Sequence, residues 1–327
     1  MFNWNAAGHE NVKKFLENSF NKGKIANAYL FYGPERVGKT LVATQFAKSL
    51  FCVNNDKPCE ECAHCMQIEN GIHPDIFRII KLEDKNNIVI EQIREMKERV
   101  YQSSFFPGYK IGIIEKAEFL NDNAWNSLLK VLEEPPKKTI IIIIANKISN
   151  IPLTIISRCQ KIKFSAAPEN IIFKYLLEDC GAERGIARTA ARLAGGKIGL
   201  AKDIAFDQLW MDRYNKKMNN CLSLLDNEKK LKEKNDLIAK FIKDSEREVI
   251  LDFFNMIISL LRDFILLETN PDLIVNLMYK EQMEYIRKKY NFKTFFNLLE
   301  KVLQLKSYLN HNVSGKLLLE NFVLDIN

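Results

Sequence analysis

One short stretch constrains the fold of this chain more than any other. Residues 33–40 read Gly-Pro-Glu-Arg-Val-Gly-Lys-Thr, which fits the spacing G-x-x-x-x-G-K-T. The apolar segment "AYLFYG" at 28–33 leads into it, and the amphipathic segment "KTLVATQFAKSLF" leads out of it. A strand, a glycine-containing turn and a helix in this order predict a loop whose backbone N–H groups converge on phosphate oxygens.

Each residue type in this loop has a chemical reason. Gly33 and Gly38 let the backbone curl around phosphate groups. In such a loop Lys39 reaches the β- and γ-phosphates, and the Thr40 hydroxyl coordinates Mg²⁺. The alternative is a chance glycine-rich turn, but the flanking strand and helix favour a nucleotide site. We therefore expect ATP with Mg²⁺ as the ligand.

The rest of the first half alternates strand and helix patterns. Strand candidates lie at 75–80, 109–115 and 138–146, and helix candidates lie at 89–102 and 121–134. The segment "KTIIIIIAN" has the unbroken β-branched character of a central parallel strand that is buried on both faces. This succession predicts an α/β, doubly wound domain with a parallel sheet.

Beyond about residue 166 the pattern becomes helical. Short helical patterns broken by Gly195 and Gly196 come first, and apolar residues then recur every three or four positions. The charged run 227–236 is expected to be a solvated helix face or a connection, with a basic binding patch as the alternative. We predict three domains, namely an α/β domain over 1–166, a small helical domain over 167–206 and a helical C-terminal domain over 207–327.

The second element of the nucleotide site departs from what hydrolysis requires. The apolar strand pattern that begins at Ile111 ends in Glu115, which we expect on the metal side of the nucleotide site. Lys116 follows, and a protonated lysine cannot accept a proton from water at neutral pH. Glu118 is a possible substitute base, and the alternative is that both glutamates only solvate the strand end. The sequence predicts weak ATP hydrolysis or none.

Four of the seven cysteines are closely spaced, as C-x6-C-x2-C-x2-C. The four thiolates of Cys52, Cys59, Cys62 and Cys65 predict a tetrahedral, structural Zn²⁺ site with no open position for chemistry. An iron–sulfur cluster or free thiols are the alternatives. His64 lies inside this loop, is surplus to a complete set of ligands, and is expected to be an exposed bystander.

Composition and charge place few limits on function. Hydrophobic residues make up 47% of the chain and charged residues 27%, as in ordinary soluble proteins. We find neither an apolar run of about 18 residues nor a secretory signal, so we expect a cytoplasmic protein with no membrane partner. The net charge of +7 is compatible with a polyanionic partner, but the mixed signs along the chain favour a solvated surface.

Taken in order, several segments resemble one known family. "NAYLFYGPERVGKT", the four-cysteine loop, "HPDIF", "KIGIIEKAEFL", "NSLLKVLEEPP" and "LTIISRCQ" closely resemble the bacterial clamp-loader subunits of DNA polymerase III, which are AAA+ proteins. The resemblance covers residues 1 to about 205 and returns at 309–326. It implies an AAA+ P-loop domain with an inserted zinc loop, a helical lid domain and an all-α collar domain.

Within this family the resemblance implies the delta-prime type, a stator that does not hydrolyse ATP, rather than the gamma/tau motor. Lys116 stands where the motor has its catalytic glutamate, and Leu200 stands where it has its sensor-2 arginine. The 327 residues also leave no room for a tau extension. Arg158 would act in trans as an arginine finger in a neighbouring subunit's ATP site, and Asn146 matches the sensor-1 region of this chain's own nucleotide site.

The same resemblance implies partners. These are the gamma/tau and delta subunits, the sliding clamp, and primer–template DNA bound without sequence readout, in a nucleoid-associated replisome of the bacterial cytoplasm. Two other hypotheses remain, a short gamma-type motor ATPase of the same complex and a zinc-stabilised DNA-binding adaptor. Strong ATP turnover would favour the first, and tight DNA binding without affinity for loader subunits would favour the second.

Overall fold

A computed structural model describes residues 2–81, 87–226, 228, 230–242, 247–309 and 313–326. The described residues belong to two compact units. The first takes its residues from Met1–Gly181 and Ala194–Ala201, and the second from Ala182–Leu193 and Lys202–Asn327. The division into three domains therefore stays a prediction.

The first unit is built on a five-stranded parallel sheet. Its strands are β1 (Ala28–Tyr32), β2 (Ile76–Ile79), β3 (Lys110–Ile114), β4 (Thr139–Ala145) and β5 (Gln160–Lys163). They lie in the order β2-β3-β4-β1-β5, and every pairing is parallel. The predicted α/β parallel-sheet class is confirmed, and β2, β3 and β4 each lie one residue inside their predicted bounds at both ends.

Nine described helices lie before, between and after these strands in the sequence. They are α1 (Glu10–Asn21), α2 (Lys39–Phe51), α3 (Ala63–Glu69), α4 (Ile90–Tyr101), α5 (Asp122–Glu133), α6 (Leu153–Ile156), α7 (Glu169–Lys174), α8 (Arg184–Leu193) and α9 (Ile198–Phe206). The helix predicted to follow the glycine-rich loop is α2. The side chain of Asn121 accepts a hydrogen bond from the Ala124 N–H, so this residue caps α5 as its Asn/Asp start predicts.

Strand β4 explains why the sheet has a core on each face. All seven of its residues are buried. Ile141 and Ile143 pack into the core on one face, with Leu30 and Leu128, whereas Ile142 and its alternate neighbours pack on the other face. Side chains alternate along a strand, so an unbroken apolar run fills both faces at once.

The second unit contains long helices around one apolar core. They are α10 (Gln208–Leu225), α11 (Leu231–Ile242), α12 (Arg247–Thr269), α13 (Lys280–Arg287), α14 (Phe292–Leu309) and α15 (Gly315–Asp325). Phe264 of α12 stacks on Phe295 of α14 with ring centroids 4.6 Å apart. No described helix combines the length and apolar character that crossing a membrane requires.

One lysine of the charged run is not solvated. Lys234 of α11 is fully buried, and its ammonium donates to the Ile326 carbonyl oxygen at 3.2 Å. Burial lowers the pKa of this lysine, and the charge of Asp226 opposes that effect. The expected solvated helix face is therefore wrong at this position, where the side chain instead ties α11 to the end of α15.

The loop after β1 requires glycine at its first position, which gives a test. Gly33 has φ 147°, and a Cβ added there would lie 2.0 Å from the Phe164 carbonyl oxygen. We expect Gly33→Ala to lower the free energy of unfolding by about 2–5 kcal/mol, since strain and overpacking add together. Urea unfolding followed by circular dichroism measures this change.

The matched control for that substitution is Gly23→Ala. Gly23 also has a positive φ, 60°, but no atom lies within 4 Å of the position of its added Cβ. In this variant the free energy of unfolding should fall by only about 1–2 kcal/mol, which is the cost of a left-handed backbone conformation for alanine. If the free energy of unfolding falls equally in the two variants, the close approach of Phe164 is not the reason why position 33 requires glycine.

Candidate functional site

The phosphate-binding loop lies at the carboxyl edge of the sheet. It follows β1 and ends at Gly38, whose φ of 105° turns the chain into the first residue of α2. The first N–H groups of a helix have no acceptor within the helix, and the helix dipole adds partial positive charge there. The local geometry is therefore that of an anion-binding cradle, as the spacing predicts.

The side chain of Lys39 closes this cradle. Its Nζ donates to the carbonyl oxygens of Gly33 and Pro34 at 2.6 Å each, and to the Oδ1 of Asn146 at 3.1 Å. Burial lowers the pKa of Lys39, and the carboxylate charges of Glu118 and Glu35 oppose that shift. The ammonium thus joins the loop to the end of β4, and Asn146 lies inside the site.

Glu115 connects the loop to the neighbouring strands. Its Oε2 accepts a hydrogen bond from the Thr40 hydroxyl at 3.2 Å. Its Oε1 accepts one from the Arg78 guanidinium at 2.6 Å, and the two side chains form an ion pair. Sequence reasoning missed Arg78, although "DIFRII" places a cation in the strand beside the one that ends in Glu115.

Lys116 and Glu118 have different environments. Lys116 has φ 50° and pairs with Glu35 at 3.5 Å, with more than half of each side chain exposed. Glu118 lies in the short 3₁₀ turn Ala117–Phe119, and its Oε2 is buried without a hydrogen-bond partner among the described residues. The charges of Glu118 and Glu35 both favour the protonated form of Lys39, and Glu35 also pairs with Lys116.

Arg158 is engaged away from this cradle. One guanidinium nitrogen donates to the Thr154 carbonyl oxygen at 2.9 Å and to the Ser157 hydroxyl at 3.3 Å. The other pairs with the Glu133 carboxylate at 2.7 Å. About a third of the Arg158 side chain is exposed, so within the described chain the guanidinium lies on the surface between α5 and α6. Leu200, which the family resemblance matches to the sensor-2 arginine, lies in α9.

The four predicted metal ligands come together. The sulfur atoms of Cys52, Cys59, Cys62 and Cys65 all lie within 4.8 Å of one another. Cys52 is the C-cap residue of α2, and Cys62 is the N-cap residue of α3. Four sulfur donors at this separation fit a tetrahedral Zn²⁺ site, which needs no further ligand.

The thiols of this cluster differ in acidity. Backbone N–H groups of Cys62 and Glu61 donate to the sulfur of Cys59 and lower its pKa to about 7. Burial raises the pKa of Cys52 and of Cys65. A bound cation favours the thiolate and would offset the effect of burial on these two thiols.

Buried charges anchor the cysteine loop to α2. Lys48, which is 1% exposed, forms ion pairs with Glu60 and with Glu69. Burial opposes the charged form of Lys48, but its hydrogen bonds to these two carboxylates raise its pKa overall. Gln45 donates to Glu60 at 2.7 Å. The loop is therefore tied to the helix that begins in the phosphate cradle.

His64 is not the exposed bystander that the sequence predicts. It is half-buried, and its Nδ1 lies 3.0 Å from the Nε2 of His73. His73 packs on Phe51, and burial together with His64 lowers its pKa to about 4. Contacts between a loop histidine and a residue nine positions later depend on the fold, which the local spacing does not reveal.

The cysteine cluster generates a prediction. We expect Cys62→Ser to lose stoichiometric zinc and to lower the melting temperature, because three sulfur ligands leave the tetrahedral shell incomplete. Metal analysis of the purified chain and a thermal melt measure the two effects.

Cys180→Ser is the matched control, since Cys180 lies outside the cluster and is also only partly buried. It should retain the zinc of the parent chain. A Cys62→Ser variant that retains as much zinc as the parent would contradict binding at this cluster.

Comparisons with known proteins follow this geometry. Among curated relatives, the DNA polymerase III subunit tau of Bacillus subtilis is 40% identical over 159 residues, which is 48% of this chain and 28% of the relative. The delta-prime subunit of the same organism is 38% identical over 168 residues, which is 51% of this chain and 50% of the relative. The chain thus spans half or less of the length of these relatives.

A solved structure covers more of the chain at lower similarity. The DNA polymerase III gamma-subunit-related protein of Thermotoga maritima covers 96% of this chain and 97% of its own, with 17% identity and a TM-score of 0.47. Assignment to a family rests instead on the sequence matches.

Two family models match the chain in order. Residues 8–168 match the family described as DNA polymerase III, delta subunit, and residues 211–327 match DNA polymerase III, delta subunit, C terminal. The first match contains the phosphate loop, the cysteine cluster and Arg158, and the two together cover most of the sequence. The chain therefore belongs to the delta-subunit family of DNA polymerase III.

Proposed function

We propose that this chain is a clamp-loader subunit of the delta-prime type in bacterial DNA polymerase III. It helps to load the sliding clamp onto primed DNA and works with gamma/tau and delta subunits in the cytoplasmic, nucleoid-associated replisome. The match to delta-family models at both ends of the chain and the similarity to delta-prime relatives support this role. Contact with primer–template DNA is through phosphates, without sequence readout.

The chain's own nucleotide chemistry is limited to binding. The cradle is complete in Gly33, Gly38, Lys39 and Thr40, so adenine nucleotide can be held. The residue after Glu115 is a lysine that pairs with Glu35 on the surface. Loss of a positioned base lowers the rate by about 10²–10⁴-fold, which supports weak hydrolysis or none.

The position of Arg158 carries the proposal. Its guanidinium is partly exposed, bonded to groups of α5 and α6, and has no hydrogen bond to the cradle among the described residues. An arginine that serves this chain's own phosphates would have to point into the cradle. One that lies on the surface can instead enter a neighbouring subunit's site and stabilise charge on the transferred phosphoryl group.

The experiment is ATP turnover by the assembled loader complex containing Arg158→Ala. Arginine fingers contribute about 10³–10⁵-fold to turnover at the site they serve. We expect hydrolysis at the neighbouring site to fall toward the basal rate, with the subunits still associated. Arg158→Lys should also be defective, because an ammonium keeps the charge but lacks the planar fork.

Arg94→Ala provides the matched control, because Arg94 is an exposed arginine of α4. The complex that carries it should turn over ATP at the parent rate. If the Arg158→Ala complex assembles and hydrolyses ATP as fast as the parent, the arginine-finger role is wrong.

A second candidate is a short gamma-type motor ATPase of the same complex. The tau subunit matches about half of this chain at an identity similar to that of the delta-prime subunit, and this observation favours it. The identities of Lys116 and Leu200 oppose it, since a protonated lysine cannot act as a base and an aliphatic side chain cannot bind a phosphate oxygen. A zinc-stabilised DNA-binding adaptor has no support beyond the cysteine cluster.

A further inference from the structure

The carboxylate expected to hold magnesium is already paired with the guanidinium of an arginine. Magnesium at a phosphate loop takes the loop hydroxyl and the acid that follows the neighbouring strand, here Thr40 and Glu115. Both Glu115 oxygens already accept hydrogen bonds, one from Thr40 at 3.2 Å and one from Arg78 at 2.6 Å. The acid of the site is therefore neutralised by a guanidinium.

This arrangement does not fit a magnesium site. Mg²⁺ needs near-ideal octahedral geometry with oxygen ligands at about 2.0–2.1 Å and loses its water reluctantly. A divalent cation that binds Glu115 has to displace the Arg78 guanidinium or lie beside its positive charge. Either course weakens the benefit that the cation gains from the carboxylate.

The sheet fixes Arg78 in this position. Strand β2 pairs with β3 in register, with Ile79 opposite Ile114, and the Glu115 N–H donates to the Ile79 carbonyl oxygen at 2.9 Å. The acid and the arginine therefore come from adjacent strands at the same edge. The Arg78 side chain is 34% exposed and that of Glu115 is 19% exposed, so water screens their attraction only in part.

The guanidinium retains donors for an anion. Arginine has five N–H groups, and its hydrogen bond to a described side chain uses one nitrogen, at Glu115. Lys39 thus supplies an ammonium to the cradle, and Arg78 supplies the remaining N–H donors of a guanidinium whose charge is balanced by Glu115. Phosphate oxygens are the ligand that a planar N–H fork recognises best.

We propose that this chain binds adenine nucleotide without magnesium, with the Arg78 guanidinium in the role of the cation. The proposal deepens the function proposed above and rests on its nucleotide site, but not on the action of Arg158 in trans. It also accounts for a cradle that holds nucleotide without hydrolysis, because a guanidinium that stays paired with its acid does not bridge the β- and γ-phosphate oxygens as a metal ion does.

The test uses the full chain and fluorescent N-methylanthraniloyl-ADP, titrated once with excess magnesium and once with EDTA. For the parent chain we expect the dissociation constants measured with magnesium and with EDTA to agree within about threefold, which is a small difference in binding free energy. For Arg78→Gln we expect weaker binding in EDTA and recovery by about tenfold with magnesium, as Glu115 becomes free.

Arg99→Gln is the matched control, since Arg99 also pairs with a glutamate, Glu95 at 2.6 Å, but on α4 and outside the site. It should bind like the parent in both conditions. Lys39→Ala should not bind in either, which ties the fluorescence signal to the cradle.

Three results would overturn the proposal. The first is that magnesium strengthens binding by the parent chain tenfold or more. The second is that the parent chain does not bind the nucleotide in EDTA. The third is that the parent chain and Arg78→Gln respond equally to magnesium. These outcomes leave the finger role untouched, because that role is measured by ATP turnover of a complex containing Arg158→Ala.

Discussion

The candidate site depends on the hydrogen bonds that the buried ammonium of Lys39 donates. The ammonium joins two carbonyl oxygens of the phosphate loop to the amide of Asn146, so it fixes the loop against the end of β4. A phosphate group that enters the cradle competes with these acceptors for the same ammonium. Nucleotide binding and loop conformation are therefore linked through one side chain.

The parallel sheet brings the remaining groups together. Because the carboxyl ends of parallel strands meet at one edge, the loop after β1, Glu115 after β3 and Asn146 after β4 converge there. Arg158 precedes β5, and its guanidinium bonds to α5 and α6 instead. One sheet thus supports the phosphate cradle at its carboxyl edge and a partly exposed arginine outside the cradle.

Much of this could be predicted from local spacing. The loop from Gly33 to Thr40 and the strand β4 follow from short-range patterns, and the four cysteines meet because a closely spaced set can surround one ion. The Arg78–Glu115 pair could not be predicted, because it depends on which strands are neighbours and on their register.

Two other sequence predictions were wrong because the side chains concerned are covered by the fold. His64 looked surplus in the sequence but contacts His73, and Lys234 looked solvated but donates to Ile326 in the interior of the helical unit. A charged or polar residue in a charged run is usually exposed. Whether a particular one is covered depends on tertiary packing, which a single sequence does not specify.

Release of inorganic phosphate by the purified chain tests the central claim, that this cradle holds nucleotide without hydrolysing it. The measurement uses ATP with magnesium and primer–template DNA, and Lys39→Ala as the background control. The account predicts that the parent chain releases phosphate no faster than this control. Sustained release that Lys39→Ala abolishes would contradict it and identify a motor.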